Sequence, residues 1–246
     1  MSIDANPTAT FRWMAGVYRI YAELMSFAPA GGEQADAHLD THLGGKLLYA
    51  GELDKAGRTL TVAANIAGAA TLAASADEAA LRQAMREGAI DFLVNSLDEA
   101  LRILKNEIRK RQTVSVAVSI ASRQIESEML ERGVLPDLLP SEADIPQASA
   151  AVAAFLEQGA RRVGVPASET PHNLLVWQIP AEFAQQPAAF EAELSECLPA
   201  ADIAGRRWLR VAPRYLGTAT RRLRSVGCDG ATAAKLVARF GEPLQG

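Results

Sequence analysis

Cysteine is scarce in this sequence, and the shortage closes off two structural routes. Cys197 and Cys228 are the only cysteines among 246 residues. Two such residues, far apart, make neither a disulfide framework nor a zinc pattern, so both are expected to be reduced thiols. Long hydrophobic runs are also absent. No apolar stretch approaches the ~18 residues of a membrane span, so no membrane association is expected. The first ten residues lack a basic stretch followed by an apolar core, the pattern of a secretory leader. A cytoplasmic protein is expected. No fixed-period repeat and no low-complexity tract is present. Positive charge is in deficit, with a net charge of −4, which argues against nucleic acid as the main partner.

What is present is enough for a sizeable core. Hydrophobic residues make up 49% of the chain, which excludes disorder as the main state. Residues 1–15 open as a polar tail. Trp13, Val17, Ile20, Tyr21 and Leu24 stand at helical spacing within residues 11–27. Beyond a Gly/Pro/Asp-rich loop, short apolar runs alternate with helical patterns. The strand candidates are Lys46–Ala50, Ala69–Ala74, Asp91–Val94 and Val114–Ser119. A short helix near Thr61–Ile66 separates the first two. Ser75 with Glu78, and Ser96 with Glu99, have the spacing of capping boxes. Leu97, Leu101, Leu104 and Ile108 share one helix face. Strand–helix alternation with short connections predicts βαβ units and a parallel sheet. A further helix is expected over Gln147–Gly159. Residues 164–172 read as a linker. Beyond it, strands are expected at Asn173–Ile179 and Arg207–Ala212 around a helix near Pro187–Leu198, followed by one or two helices.

Several stretches, in order and with little need for gaps, carry a resemblance. They are Gly16-Val-Tyr-Arg-Ile-Tyr-Ala-Glu-Leu24, Leu43-Gly-Gly-Lys46, Ala50-Gly51, Ile66-Ala-Gly-Ala69, Leu97-Asp-Glu-Ala-Leu101 and Arg132-Gly-Val-Leu-Pro-Asp137. Together they resemble the central Rossmann-like dinucleotide domain of urocanase (urocanate hydratase), whose corresponding motifs include L-A-G-A, L-D-D-A-L and R-G-V-R-P-D. The resemblance covers about residues 16–140. It implies a doubly wound α/β fold over residues 16–160, with residues 173–246 as a smaller α/β extension.

The departures from that family bear on function. In the family, a glycine-rich turn (G-L-G-G-M-G-G-A-Q-P) follows the first strand. Such turns let backbone amides approach a pyrophosphate. Here the turn reads Gly51-Glu-Leu-Asp-Lys-Ala-Gly-Arg58, and only Gly51 and Gly57 remain. Glu52 and Asp54 bring negative charge, while Lys55 and Arg58 could offset it from a helix starting near Thr59. Ser75 takes the place of the acidic residue that binds ribose hydroxyls. Ser119-Ile-Ala-Ser122 takes the place of an H-G-N-A turn. The expected cofactor-site residues are therefore Gly51, Lys55, Gly57, Arg58 and Ser75, with NAD motifs degraded and no cofactor expected. The family's urocanate-binding core finds no counterpart in the sequence. The function expected is a non-urocanase protein that binds a small anion or a protein partner, or that forms a homo-oligomer. The alternative is an NAD-dependent enzyme that works with a second subunit.

Other candidates carry less. His38 and His42, with Asp36 and Asp40, have helical metal-ligand spacing but lie in a glycine-rich loop, so no metal site is expected. His172 reads as a strand-entry residue. Cys228 reads as an ordinary thiol in an exposed turn. The arginine-rich stretch after residue 200 is expected to be a solvated face pairing with the acidic first half, with an anion site as the alternative. Trp208 and Tyr215 are too few for base stacking.

Overall fold

A computed structural model describes residues 7–28, 43–142, 149–163 and 173–244. The chain divides into two compact units, one of residues 20–165, the other of residues 1–19 with 166–246. Helix α1 (Pro7–Ser26) contributes to both. It buries Met14, Val17, Tyr18, Tyr21 and Leu24 at three- and four-residue spacing. Helix therefore begins at Pro7, where the sequence suggested a tail up to residue 15. Buried Met14 makes these first turns part of a packed face.

The unit of residues 20–165 alternates strand and helix throughout. In chain order it comprises β1 (Leu47–Glu52), α2 (Lys55–Ala67), β2 (Ala70–Ala74), α3 (Glu78–Arg86), β3 (Phe92–Val94), α4 (Leu97–Arg109), β4 (Val114–Val118), α5 (Ser122–Glu131), β5 (Leu138–Leu139), α6 (Ala150–Glu157) and β6 (Arg161–Arg162). The six strands form one sheet in the order β3-β4-β2-β1-β5-β6, and every pairing is parallel. Strands β1, β2 and β4 are buried along both faces, which explains their continuous apolar runs. On one face Leu47, Tyr49, Leu72, Val116 and Val118 pack against α4, α5 and α6 through residues such as Leu101, Ile125, Met129 and Phe155. On the other, helix α2 presents Asn65, whose amide donates to Ser115 Oγ in β4. This is the doubly wound α/β fold that the sequence led one to expect.

The stretches that carried the family resemblance are joints of this framework. Gly68 caps α2 in the left-handed region, at φ 95°. Asp98, in the first turn of α4, pairs with Arg132, which also bonds Glu128. Gly133, at φ 66°, closes α5. Asp137 accepts from the Leu47 amide at 2.8 Å and from Lys46 Nζ at 2.8 Å, tying the strand openings of β1 and β5 together.

The second unit pairs β7 (Asn173–Gln178) with β8 (Leu223–Cys228), antiparallel, as a sheet of its own. Three helices accompany it, α7 (Pro187–Cys197), α8 (Ile203–Tyr215) and α9 (Gly230–Phe240). Residues 207–212, expected as a strand, lie inside α8. The short apolar run suits either period. The Asp202 cap and the burial of Gly205, Trp208, Leu209 and Ala212 belong to a helix. Strand β8 stands where helix was expected. Trp177, Phe190, Leu194, Leu209, Val226 and Leu236 form this unit's core.

Candidate functional site

In an open α/β sheet the ligand crevice lies outside the carboxyl ends of the strands, where the strand order reverses. Here β1 is followed by β2 on one side and flanked by β5 on the other, so the reversal lies at β1/β5. The loops that follow β1, β2 and β4 border it.

The first of these loops is closed by its own residues. Gly51 takes φ 73°, a conformation that suits glycine, beside an irregularity in the β1–β2 register. Leu53 is fully buried, and its amide donates to the Ala74 carbonyl at 2.9 Å. Asp54 is the N-cap of α2, and its carboxylate accepts from the Gly57 amide at 2.9 Å. The helix thus starts at Lys55, four residues before the start near Thr59 that the sequence suggested, because Asp54 supplies the cap. A Cβ on Gly57 would lie 2.0 Å from the Glu52 carbonyl oxygen, so helix and strand meet there with no room for a side chain. Lys55 is exposed and Arg58 half-buried, and neither forms an ion pair with Glu52 or Asp54. The structure therefore brings Gly51, Lys55, Gly57 and Arg58 together on one turn.

Ser75 directly follows β2 and is buried. Its amide donates to the Val118 carbonyl at 3.1 Å, and its hydroxyl accepts from the Asp77 amide at 3.1 Å. Ser75 does not cap α3, as its spacing from Glu78 suggested. Asp77 does so, accepting from the Ala79 and Ala80 amides. Ser75 instead orients the residue that caps. The Ser96 cap of α4 is as expected, accepting from the Glu99 amide at 3.3 Å. Helix α5 begins after Ala121 without a side-chain cap.

Beneath the crevice lies a polar group that sequence reasoning missed. Glu126 of α5 is buried and accepts from the Tyr49 hydroxyl at 3.1 Å and from Ser149 Oγ at 2.5 Å. Ser149 in turn caps α6. Burial, followed by the nearby Glu126, holds the Tyr49 hydroxyl well above its ordinary pKa. The signal was available, since Glu126 falls on the same helix face as buried Ile125 and Met129.

The remaining candidates settle elsewhere. Asp36, His38, Asp40, His42 and His172 lie outside the described residues. Among the described residues, no group of three or more His, Cys, Asp and Glu is arranged to hold a metal ion. No described helix is long and apolar enough to cross a membrane. Cys228 is buried within β8, where an exposed turn was expected, because β8 runs on to it and leaves the turn to Asp229, the cap of α9. Two C-terminal arginines pair inside their own unit, where the acidic first half was the expected partner. Arg224 meets Glu191 at 2.7 Å, and Arg239 meets Glu193 and Glu196. Helix α7 places these glutamates within reach.

Residues 30–150 match the family model of the urocanase Rossmann-like domain. This match, over an all-parallel six-stranded sheet, makes residues 30–150 a Rossmann-like domain of the urocanase family.

Proposed function

We propose that the chain is a urocanase-related binding protein whose first strand–helix turn no longer accepts the pyrophosphate of NAD, and which uses Lys55 and Arg58 for a small anion or an acidic partner. The observation that carries this reading is the Asp54 carboxylate on the Gly57 amide. A dinucleotide turn leaves the first helix amides and their partial positive charge to the phosphate. Here a resident carboxylate uses that position and repels a second anion. An anion at this turn would be held by side chains, and Lys55 and Arg58 stand there with no ion-pair partner among the described residues. Calorimetric titration of NAD into the protein is expected to give no binding in the low-micromolar range. Asp54→Ala is expected to strengthen any residual NAD binding. A low-micromolar constant for the unmodified protein would overturn the reading.

One observation favours a second reading, an NAD-dependent enzyme acting with another subunit. Gly51 and Gly57 keep two of the roles that glycines play in such turns, a positive φ and close helix–strand packing. The same titration decides between the two readings.

A further inference from the structure

Asn65 lies in the buried stretch of α2, between Ala64 and Ile66, and has no exposure. Its amide nitrogen donates to the Ala89 carbonyl at 3.0 Å and to Ser115 Oγ at 3.3 Å. A carbonyl can only accept, so the group facing Ala89 must be the nitrogen. Ser115 Oγ has nothing further to give. It donates its one hydrogen to Asp91 at 2.9 Å, and it accepts from the Asp91 amide at 3.1 Å as well as from Asn65. Asn65 Oδ1 is therefore left to find a donor elsewhere, and no protein group supplies one. Among the described residues, the other buried side-chain polar atom without a hydrogen-bond partner is Thr71 Oγ1. Thr71, in β2, is in register with Ser115 in β4. Register partners in neighbouring strands share a face of the sheet and stand about 5 Å apart. The two unpartnered atoms thus flank the same serine, beneath α2. One is an acceptor, and the other is a hydroxyl that can donate and accept.

We infer that Asn65 and Thr71 hold an internal water between α2 and β2, which accepts from one side or donates to the other and joins the two atoms into one network. A buried polar atom without a partner loses the solvation it had in water, and here two such atoms with complementary chemistry lie around one residue. They do not bond each other directly, so a third group has to stand between them. That group must donate to Asn65 Oδ1, which excludes an anion and an apolar ligand. It must also fit where both partners are fully buried. Water meets both conditions, and internal waters characteristically satisfy such groups. Through Ser115 and Asp91 the same network reaches β4 and the start of β3. It therefore ties down the helix whose first turn carries Lys55 and Arg58.

The test turns on the sign of a change in stability. Valine has the shape of threonine without the hydroxyl. If the Thr71 hydroxyl is idle, Thr71→Val in the full chain removes an unsatisfied buried group and leaves stability unchanged or raised. If it holds a bridging water, the same change strands Asn65 Oδ1. A fall of about five- to thirty-fold in the folded-to-unfolded ratio is then expected from a denaturant melt. In the Asn65→Leu background, where no acceptor remains, Thr71→Val is expected to cost nothing. Should the Asn65 variant fail to fold, a high-resolution crystal structure of the unmodified chain still decides. It is expected to show a water oxygen about 2.7–3.2 Å from both Asn65 Oδ1 and Thr71 Oγ1. A direct bond between the two side chains, no water within reach of both, or a Thr71→Val protein as stable as the parent would overturn the inference.

Discussion

Cys228 shows how far one residue's chemistry depends on where its element ends. Read as part of a turn, it would be an accessible thiol. As the last residue of β8 it is 4% exposed. Burial, followed by Asp229 and Asp202, pushes its thiol from the ordinary 9.0 up to about 11. The thiolate is the reactive form, so the folded chain holds Cys228 unreactive at neutral pH. The sign of the linkage follows from the raised value. The neutral thiol favours the folded state fully below about pH 9, and this contribution is lost as pH rises through about 11. Cys197 is only partly buried. Alkylation of the native protein at pH 8, followed by mass spectrometry, is expected to label Cys197 well before Cys228. Equal labelling rates would mean that β8 does not protect the thiol.

At the scale of elements, what was legible in the sequence was whatever carried a local signal. The Ser96 cap, the apolar stripe of α4 and the buried runs of β1, β2 and β4 follow from propensity and period alone. Helix α8 did not, because a six-residue window of arginines and apolar residues fits both periods, and only burial against β8 decides it. The start of α2 is less legible, because Asp54 in the sequence reads equally as a surface charge and as the cap it proves to be. Glu126 was missed because its partners, Tyr49 and Ser149, are 77 and 23 residues away in the chain. The turn at Gly57 yields a sharp expectation. Alanine is a better helix former than glycine, so Gly57→Ala on an open helix would stabilise. Here the added Cβ would meet the Glu52 carbonyl oxygen at 2.0 Å, and that oxygen belongs to backbone that cannot easily move. Gly57→Ala is expected to destabilise the protein by about 1–3 kcal/mol, the usual range for overpacking. A denaturant melt measures it, and an unchanged midpoint would show that α2 shifts away from β1 at no cost.

For the whole molecule, the framework and the crevice are carried by different stretches of the sequence. The stretches that resemble urocanase hold helices to strands, through Gly68, the Asp98–Arg132 pair, Gly133 and Asp137. The segments that depart from it lie at the carboxyl ends of β1, β2 and β4, where a dinucleotide would be held. At β1 the helix amide is engaged by Asp54. At β2, Ser75 spends its hydroxyl on the Asp77 amide and offers no carboxylate to a ribose. At β4, Ser119-Ile-Ala-Ser122 leads into α5 with no side-chain cap. A fold does not fix the chemistry of its site, and on the proposed reading these three segments all weaken the same cofactor's contacts. Each charge-assisted hydrogen bond to a charged group is worth about 1.5–3 kcal/mol, and about 1.4 kcal/mol is tenfold in affinity. Losing two of them moves binding by orders of magnitude. The purified protein is therefore expected not to hydrate urocanate, with or without added NAD. The assay is the fall in urocanate absorbance. A fall that requires this protein and is enhanced by NAD would show that the crevice holds the cofactor despite Asp54, and would overturn the proposed reading.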